Sequence, residues 1–140
     1  MSKKIKKILL VDDNPVAQKM TEKAFFNAGY DVILAWDEED CLKKAKEHKP
    51  NAILMDIIFP EGDGREFVRK LSKDEDTKAI PIVFATNTIN VEDDKGDLTL
   101  EIDGISYRAF AKPLHYPKLL SVVRKEINRH THGDKDSVHD

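Results

Sequence analysis

The chain has 140 residues, 40% of them hydrophobic and 35% charged, which is the make-up of one globular domain with a crowded polar surface. Its 23 Lys and Arg against 26 Asp and Glu leave a net charge of −3, without the basic surplus expected of a nucleic-acid module. The apolar runs fall far below the roughly 18 residues of a membrane span, the lysine-led run at Ile8 is too short for a signal peptide, and a single cysteine, Cys41, excludes an intramolecular disulfide or a cysteine-rich zinc site.

Short apolar runs alternate with helical patterns. Ile8 to Val11 reads as a buried strand. Asn14 and Pro15 then open a helix as N-cap and first helical residue, with Val16, Met20, Ala24 and Ala28 marking its apolar face and Gly29 its stop. Asp31 to Ala35 is a second strand. Asp37 caps a second helix whose Cys41, Leu42 and Ala45 face inward, and Pro50 lies beyond its end. Ala52 to Met55, apolar throughout, is a third strand covered on both faces. Phe67, Val68 and Leu71 mark a third helix, Ile80 to Ala85 a fourth strand, Tyr107 to Ala111 a fifth, and Leu119, Leu120, Val123 and Ile127 a last helix opened by Pro117. Asn87 to Ser106 fits least well. We expect a short or irregular helix there, although Leu98, Leu100 and Ile102 also alternate as a strand would. From Asn128 the polar sequence loses its periodicity and is expected to fray, so residues 129–140 read as a flexible tail.

Apolar strands alternating with helices predict a doubly wound parallel α/β sheet, in which ligands bind where the strands' C-terminal ends meet. The polar residues of interest stand at those ends. Asp12 and Asp13 follow the first strand, Asp56 the third, Thr86 the fourth and Lys112 the fifth. If the first and third strands are neighbours, three carboxylates converge, and two unit charges at about 4 Å repel by roughly 4 kcal/mol at an effective dielectric constant of about 20. Such a cluster raises a pKa, splays apart or holds a cation, and an all-oxygen donor set suits Mg²⁺. A carboxylate nucleophile, a divalent ion, a lysine and a hydroxyl are together the parts for phosphoryl transfer to an aspartate. Taken singly, each of these residues is as readily a helix cap or turn residue. The histidines are weaker candidates: His130, His132 and His139 fall in the polar tail, and His48 and His115 have no acidic or cysteine partner at ligand spacing. Cys41 reads as core, and Trp36, just past the second strand and near Asp12, has packing as its default role.

Four segments carry a resemblance. They are Ile8–Asn14, Met55–Gly64, Ile80–Thr86 and Phe110–Pro113, whose motifs, order and spacing resemble the receiver domain of two-component response regulators across residues 6–128. The resemblance implies a flavodoxin-like, five-stranded parallel sheet in the order 2-1-3-4-5. It implies Asp56 as phosphoacceptor, Asp13 as a direct Mg²⁺ ligand, Asp12 as the second acidic residue of that site and the backbone carbonyl of Ile58 as a further ligand. Thr86 and Lys112 would contact the phosphoryl group, and Pro60, Asp63 and Gly64 would shape the loop into the third helix. It further implies a cytoplasmic, stand-alone signalling module rather than an enzyme, one that catalyses only its own aspartyl phosphorylation and dephosphorylation. Its partners would be a sensor histidine kinase or histidine phosphotransfer protein and an unidentified downstream protein, with neither nucleic acid nor membrane among them.

Three features depart from the family's pattern. Asn87 follows the threonine where a small residue is usual, Ala109 stands three before the lysine where an aromatic residue is common, and 26 positions separate Thr86 from Lys112, a longer interval than usual. Two competing readings are a small Mg²⁺-dependent aspartate-nucleophile phosphatase and an unphosphorylated pseudo-receiver scaffold. Adjacent Asp12 and Asp13, in place of the Asp-x-Asp usual in such phosphatases, count against the first, and the intact five-residue set against the second.

Overall fold

The computed structural model describes residues 5–56, 58–59, 62–86 and 98–139. Lys7–Val11 forms β1 and Pro15–Asn27 forms α1, joined by a turn in which Asn14 Oδ1 accepts the backbone N–H groups of Val16 at 2.9 Å and Ala17 at 3.1 Å. This is the expected N-cap, with Pro15 at the position where its missing N–H leaves no gap. Asp31–Ala35 is β2 and Glu38–His48 is α2, capped by Asp37 through Asp40 N–H at 2.8 Å and closed by Lys49 in the left-handed region at φ 48°. Ala52–Asp56 is β3, Ile58–Phe59 and Gly62–Asp63 are the short antiparallel pair β4 and β5, and Gly64–Lys73 is α3. Ile82–Thr86 is β6, Leu98–Ile102 is β7, Ile105–Ala111 is β8, and Tyr116–His139 is α4.

The main sheet has six strands in the order β2-β1-β3-β6-β8-β7. Its five parallel members reproduce the expected 2-1-3-4-5 order. Alternate residues of each strand point to opposite faces, and two cores result. Leu9, Val11, Ile53, Met55 and Phe84 pack with α2 and α3 through Cys41, Ala45, Phe67, Val68 and Leu71. Ile8, Leu10, Leu54, Val83 and Phe110 pack with α1 and α4 through Phe25, Leu119, Val123 and Ile127. Cys41 is fully buried, and burial first, then Asp40, Glu38 and Asp37, pushes its thiol up to about 12, which makes it an inert core residue.

The sixth strand corrects the expectation of an irregular helix over Asn87 to Ser106. Leu98–Ile102 pairs antiparallel with β8, from Leu98 opposite Ala109 to Ile102 opposite Ile105. Asp103 and Gly104 close the hairpin with φ of 53° and 83°, both left-handed. Such two-residue turns need positive φ twice, and Asp-Gly is a favoured pair for it. The turn sits against α3, where Arg69 Nε donates to Asp103 Oδ2 at 2.8 Å. Residues 87–97 lie outside the described residues. A Cβ at Gly104 would meet no neighbour within 4 Å, so only the backbone resists substitution there. Gly104→Ala should therefore cost roughly 1–2 kcal/mol from the left-handed backbone alone, read as a lower denaturant midpoint at unchanged slope. An unchanged midpoint would mean that the turn has relaxed out of positive φ.

Two further differences concern helices. The buried face of α1 is Gln18, Thr21 and Phe25, while Val16 and Met20, expected to face inward, are 69% and 57% exposed. α4 continues to His139, although helical order was expected to fade near Asn128. That stretch lacks an apolar stripe, yet it contains no proline, and extending a helix from a packed stem needs no new nucleus. Trp36, just past β2, is 41% exposed. None of the described helices is long and apolar enough to cross a membrane.

Candidate functional site

Parallel pairing brings the C-terminal ends of β1, β3, β6 and β8 to one edge of the sheet. Val11 lies opposite Met55, Asp56 opposite Ala85, and Thr86 opposite Ala111, so Asp12, Asp56, Thr86 and Lys112 follow in adjoining rows. One carboxylate oxygen from each of Asp12, Asp13 and Asp56 lies within 4.8 Å of the others. The convergence expected from neighbouring first and third strands is thus present.

Asp12 has two tasks. Its Oδ1 accepts the backbone N–H of Asn14 at 3.0 Å, which shapes the turn into α1, and its Oδ2 accepts Lys112 Nζ at 2.7 Å. Lys112 Nζ also donates to Asp56 Oδ2 at 3.2 Å. The three side chains are 14%, 12% and 11% exposed for Lys112, Asp12 and Asp56, so the ammonium is held between two carboxylates in a partly dehydrated place. Burial pulls the Lys112 pKa down, but the hydrogen bond to Asp12 and the charge of Asp56 outweigh it and hold the group above the ordinary lysine value. It is a cation throughout the neutral range. Asp13 is exposed at the mouth of the cluster.

The donor set fits a hard divalent cation: three carboxylates, oxygen only, one of them open to solvent. Ile58 is in β4, two residues past Asp56, opposite Asp63, and Gly64 opens α3. Thr86 ends β6 in the row next to Asp56, but its hydroxyl, Pro60 and Asn87 lie outside the described residues. On the face of α2 and α3, Ala109 is fully buried, and Tyr107, two residues earlier on the same face, meets Phe84 edge-on at 5.6 Å and Ser72 Oγ at 3.5 Å. His115 Nδ1 accepts the backbone N–H of Lys118 at 3.4 Å, a helix-capping role with no bearing on the acidic cluster.

Among the buried polar residues that the sequence does not mark, Gln18 stands nearest the strand ends of the site. Gln18 is 1% exposed and reaches from α1 to the ends of β1 and β2. A glutamine amid apolar neighbours carries no sequence signature of burial, and the alternative apolar stripe through Val16 and Met20 masked it.

Comparison with known proteins agrees with this geometry. The family model described as the response regulator receiver domain matches residues 8–124. The polar-differentiation response regulator DivK of Brucella anthropi is 29% identical over 122 residues, covering 87% of this chain and 96% of that protein. The receiver domain of the sensor histidine kinase PA1611 from Pseudomonas aeruginosa, solved with a magnesium ion coordinated in its active-site cleft, superposes with a TM-score of 0.75 at 28% identity, covering 89% of this chain and 99% of that one. The chemotaxis response regulator CheY4 of Vibrio cholerae gives 0.70 at 26% identity over 88% of this chain and 99% of its own. With strand order, acidic edge and family match in agreement, the chain belongs to the response regulator receiver domain family of two-component systems.

Proposed function

We propose that the chain is a phosphoacceptor in a two-component system or phosphorelay, with Asp56 as the residue that takes the phosphoryl group. The observation that carries this reading is the juxtaposition of Asp56, Asp12, Asp13 and Lys112 at one strand edge. Asp12, Asp13, Asp56 and the backbone carbonyl of Ile58 would hold Mg²⁺, which when bound offsets the negative charge that gathers on the phosphoryl oxygens. A carboxylate oxygen of Asp56 forms the new bond to phosphorus as the bond from phosphorus to the donor's imidazole nitrogen breaks, and the leaving imidazole recovers a proton from solvent. Lys112 leaves its place between the two carboxylates to pair with the incoming phosphoryl oxygens, and the hydroxyl of Thr86 donates to another. The added charge of roughly −1.5 to −2 then acts as a local electrostatic trigger for a changed protein-binding surface.

The phosphodonor would be a sensor histidine kinase or a histidine phosphotransfer protein. Exposed apolar side chains on α1, the helix that follows Asp13, support a protein donor. Val16 and Met20 stand one turn apart in the first half of α1, and Trp36 directly follows the end of β2, all solvent-exposed. Met20→Glu should slow transfer from a phosphorylated protein donor by about tenfold or more, since a charge in an apolar contact costs a few kcal/mol. Labelling by a small phosphodonor should be unaffected, and equal slowing of both would place Met20 in the chemistry instead of the contact.

Incubation with Mg²⁺ and a small acyl phosphate or phosphoramidate, followed by intact mass, tests the reading as a whole. A single acid-labile adduct supports it. Continuous phosphate release with turnover would favour an aspartate-nucleophile phosphatase, and an unchanged mass a scaffold that is not phosphorylated.

A further inference from the structure

We propose that Gln18 is a positioning residue of this site, one that holds the Asp12–Asp13 turn at the distance from Asp56 that the cation requires. This inference rests on the reading of Asp12, Asp13 and Asp56 as an Mg²⁺ site. The side-chain amide of Gln18 donates to Leu10 O at 3.1 Å and to Ala35 O at 2.9 Å, spending both of its N–H groups on the last turns of β1 and β2. Ala35 O also accepts the backbone N–H of Asp12 at 3.3 Å. The same carbonyl therefore ties down the helix side chain and the first residue of the acidic turn.

The attachment is rigid at both ends. Gln18 lies one turn into α1, its own backbone N–H bonded to Asn14 O at 2.9 Å, and Asn14 is in turn bound to Asp12 Oδ1. Leu10 is 1% and Ala35 0% exposed, so water cannot replace the amide at either carbonyl without opening the core. A small void of about 10 Å³ is bordered by Gln18 together with Asp12, Asp56 and Lys112, so Gln18 adjoins the same space as the cluster. Phe25, on the same buried face two turns on, packs instead with the core of α1 and α4. The helix thus splits its buried face between site support and plain packing. Groups that orient metal ligands without touching the metal commonly change affinity by about 10- to 100-fold when removed.

Gln18→Met keeps the volume and the stem while removing both donors. With Mg²⁺ as the probe, its dissociation constant should rise roughly tenfold, measured by calorimetry well below the melting temperature. Phe25→Leu, destabilised by packing loss alone, should bind Mg²⁺ as the parent chain does. In the metal-free Gln18→Met protein, the amide resonances of Asp12 and Asp13 should move while those of α4 stay in place. If Gln18→Met does not fold, Gln18→Asn, whose amide ends one carbon short of the two carbonyls, is read by the same two measurements. Unchanged Mg²⁺ affinity with unmoved Asp12 and Asp13 resonances overturns the positioning role and leaves the phosphoacceptor reading standing. A parent chain that binds no Mg²⁺ overturns both.

Discussion

Asp56→Asn should fold, give the same intact mass before and after treatment with Mg²⁺ and a small phosphodonor, and so lose the adduct entirely. The amide has the shape of the carboxylate, and Lys112 Nζ, now 3.2 Å from Asp56 Oδ2, still finds an oxygen there and a full charge on Asp12. What disappears is nucleophilicity, because the amide oxygen carries no formal charge with which to attack phosphorus. Removing one of three negative charges also weakens Mg²⁺ binding, so the assay is run at saturating metal to keep the two effects apart. Labelling at the parent's stoichiometry would put the acceptor on another residue.

Lys112→Ala should show an opposite pattern: Mg²⁺ bound more tightly, and the conformational response to phosphate lost. The ammonium is the cation already present between Asp12 and Asp56, at 2.7 and 3.2 Å. Stripping one partner from a buried charge pair costs about 3–5 kcal/mol, and the 11–14% exposure of these side chains puts the expected loss toward the lower end of that range without metal. Mg²⁺ supplies the missing charge, so the stability gap to the parent should narrow as metal is added. The sign with pH follows from the raised Lys112 pKa: its stabilisation is complete below the ordinary lysine value and is lost only as pH climbs through the raised one. Titration of Lys112 itself therefore adds no pH dependence to the parent's stability across the neutral range. A fully phosphorylated Lys112→Ala protein that still shows the parent's phosphate-induced spectral changes would remove Lys112 from the response.

These side chains were legible in sequence because each stands one or two residues beyond an apolar run, where a parallel sheet gathers them whatever the details of packing. The same runs placed the five parallel strands, since only buried strands need Ile, Val and Leu on both faces. The face of α1 was not legible. Val16, Met20, Ala24 and Ala28 form a regular stripe, but the helix turns Gln18, Thr21 and Phe25 inward, because Gln18 satisfies strand-end carbonyls and Thr21 Oγ1 pairs with Tyr116 Oη at 3.0 Å. A partnered polar side chain can be buried where an unpartnered one cannot, and partners lie far away in sequence. The hairpin was missed for the opposite reason. Its signal is local: Asp103-Gly104 between the alternating Leu98, Leu100, Ile102 and Ile105, Tyr107, Ala109. Leu98 and Ile102, four residues apart, fit a helical spacing equally well, and that ambiguity hid it.

That hairpin also bears on the order in which the chain assembles. Every parallel pairing in the sheet joins strands with at least a helix or a long connection between them, whereas β7 and β8 meet across two residues. Forming such a hairpin takes on the order of 1–10 μs, while the parallel pairings must first bring distant segments together. The strand that leads into Lys112 can thus be zipped to a partner before β6 arrives, and then dock as a preformed ribbon. If so, Gly104→Ala should show its destabilisation mainly as slower refolding, with the unfolding rate nearly that of the parent chain. A chevron plot separates the two limbs, and an effect carried on the unfolding limb would mean that the turn forms only after β8 has joined the sheet.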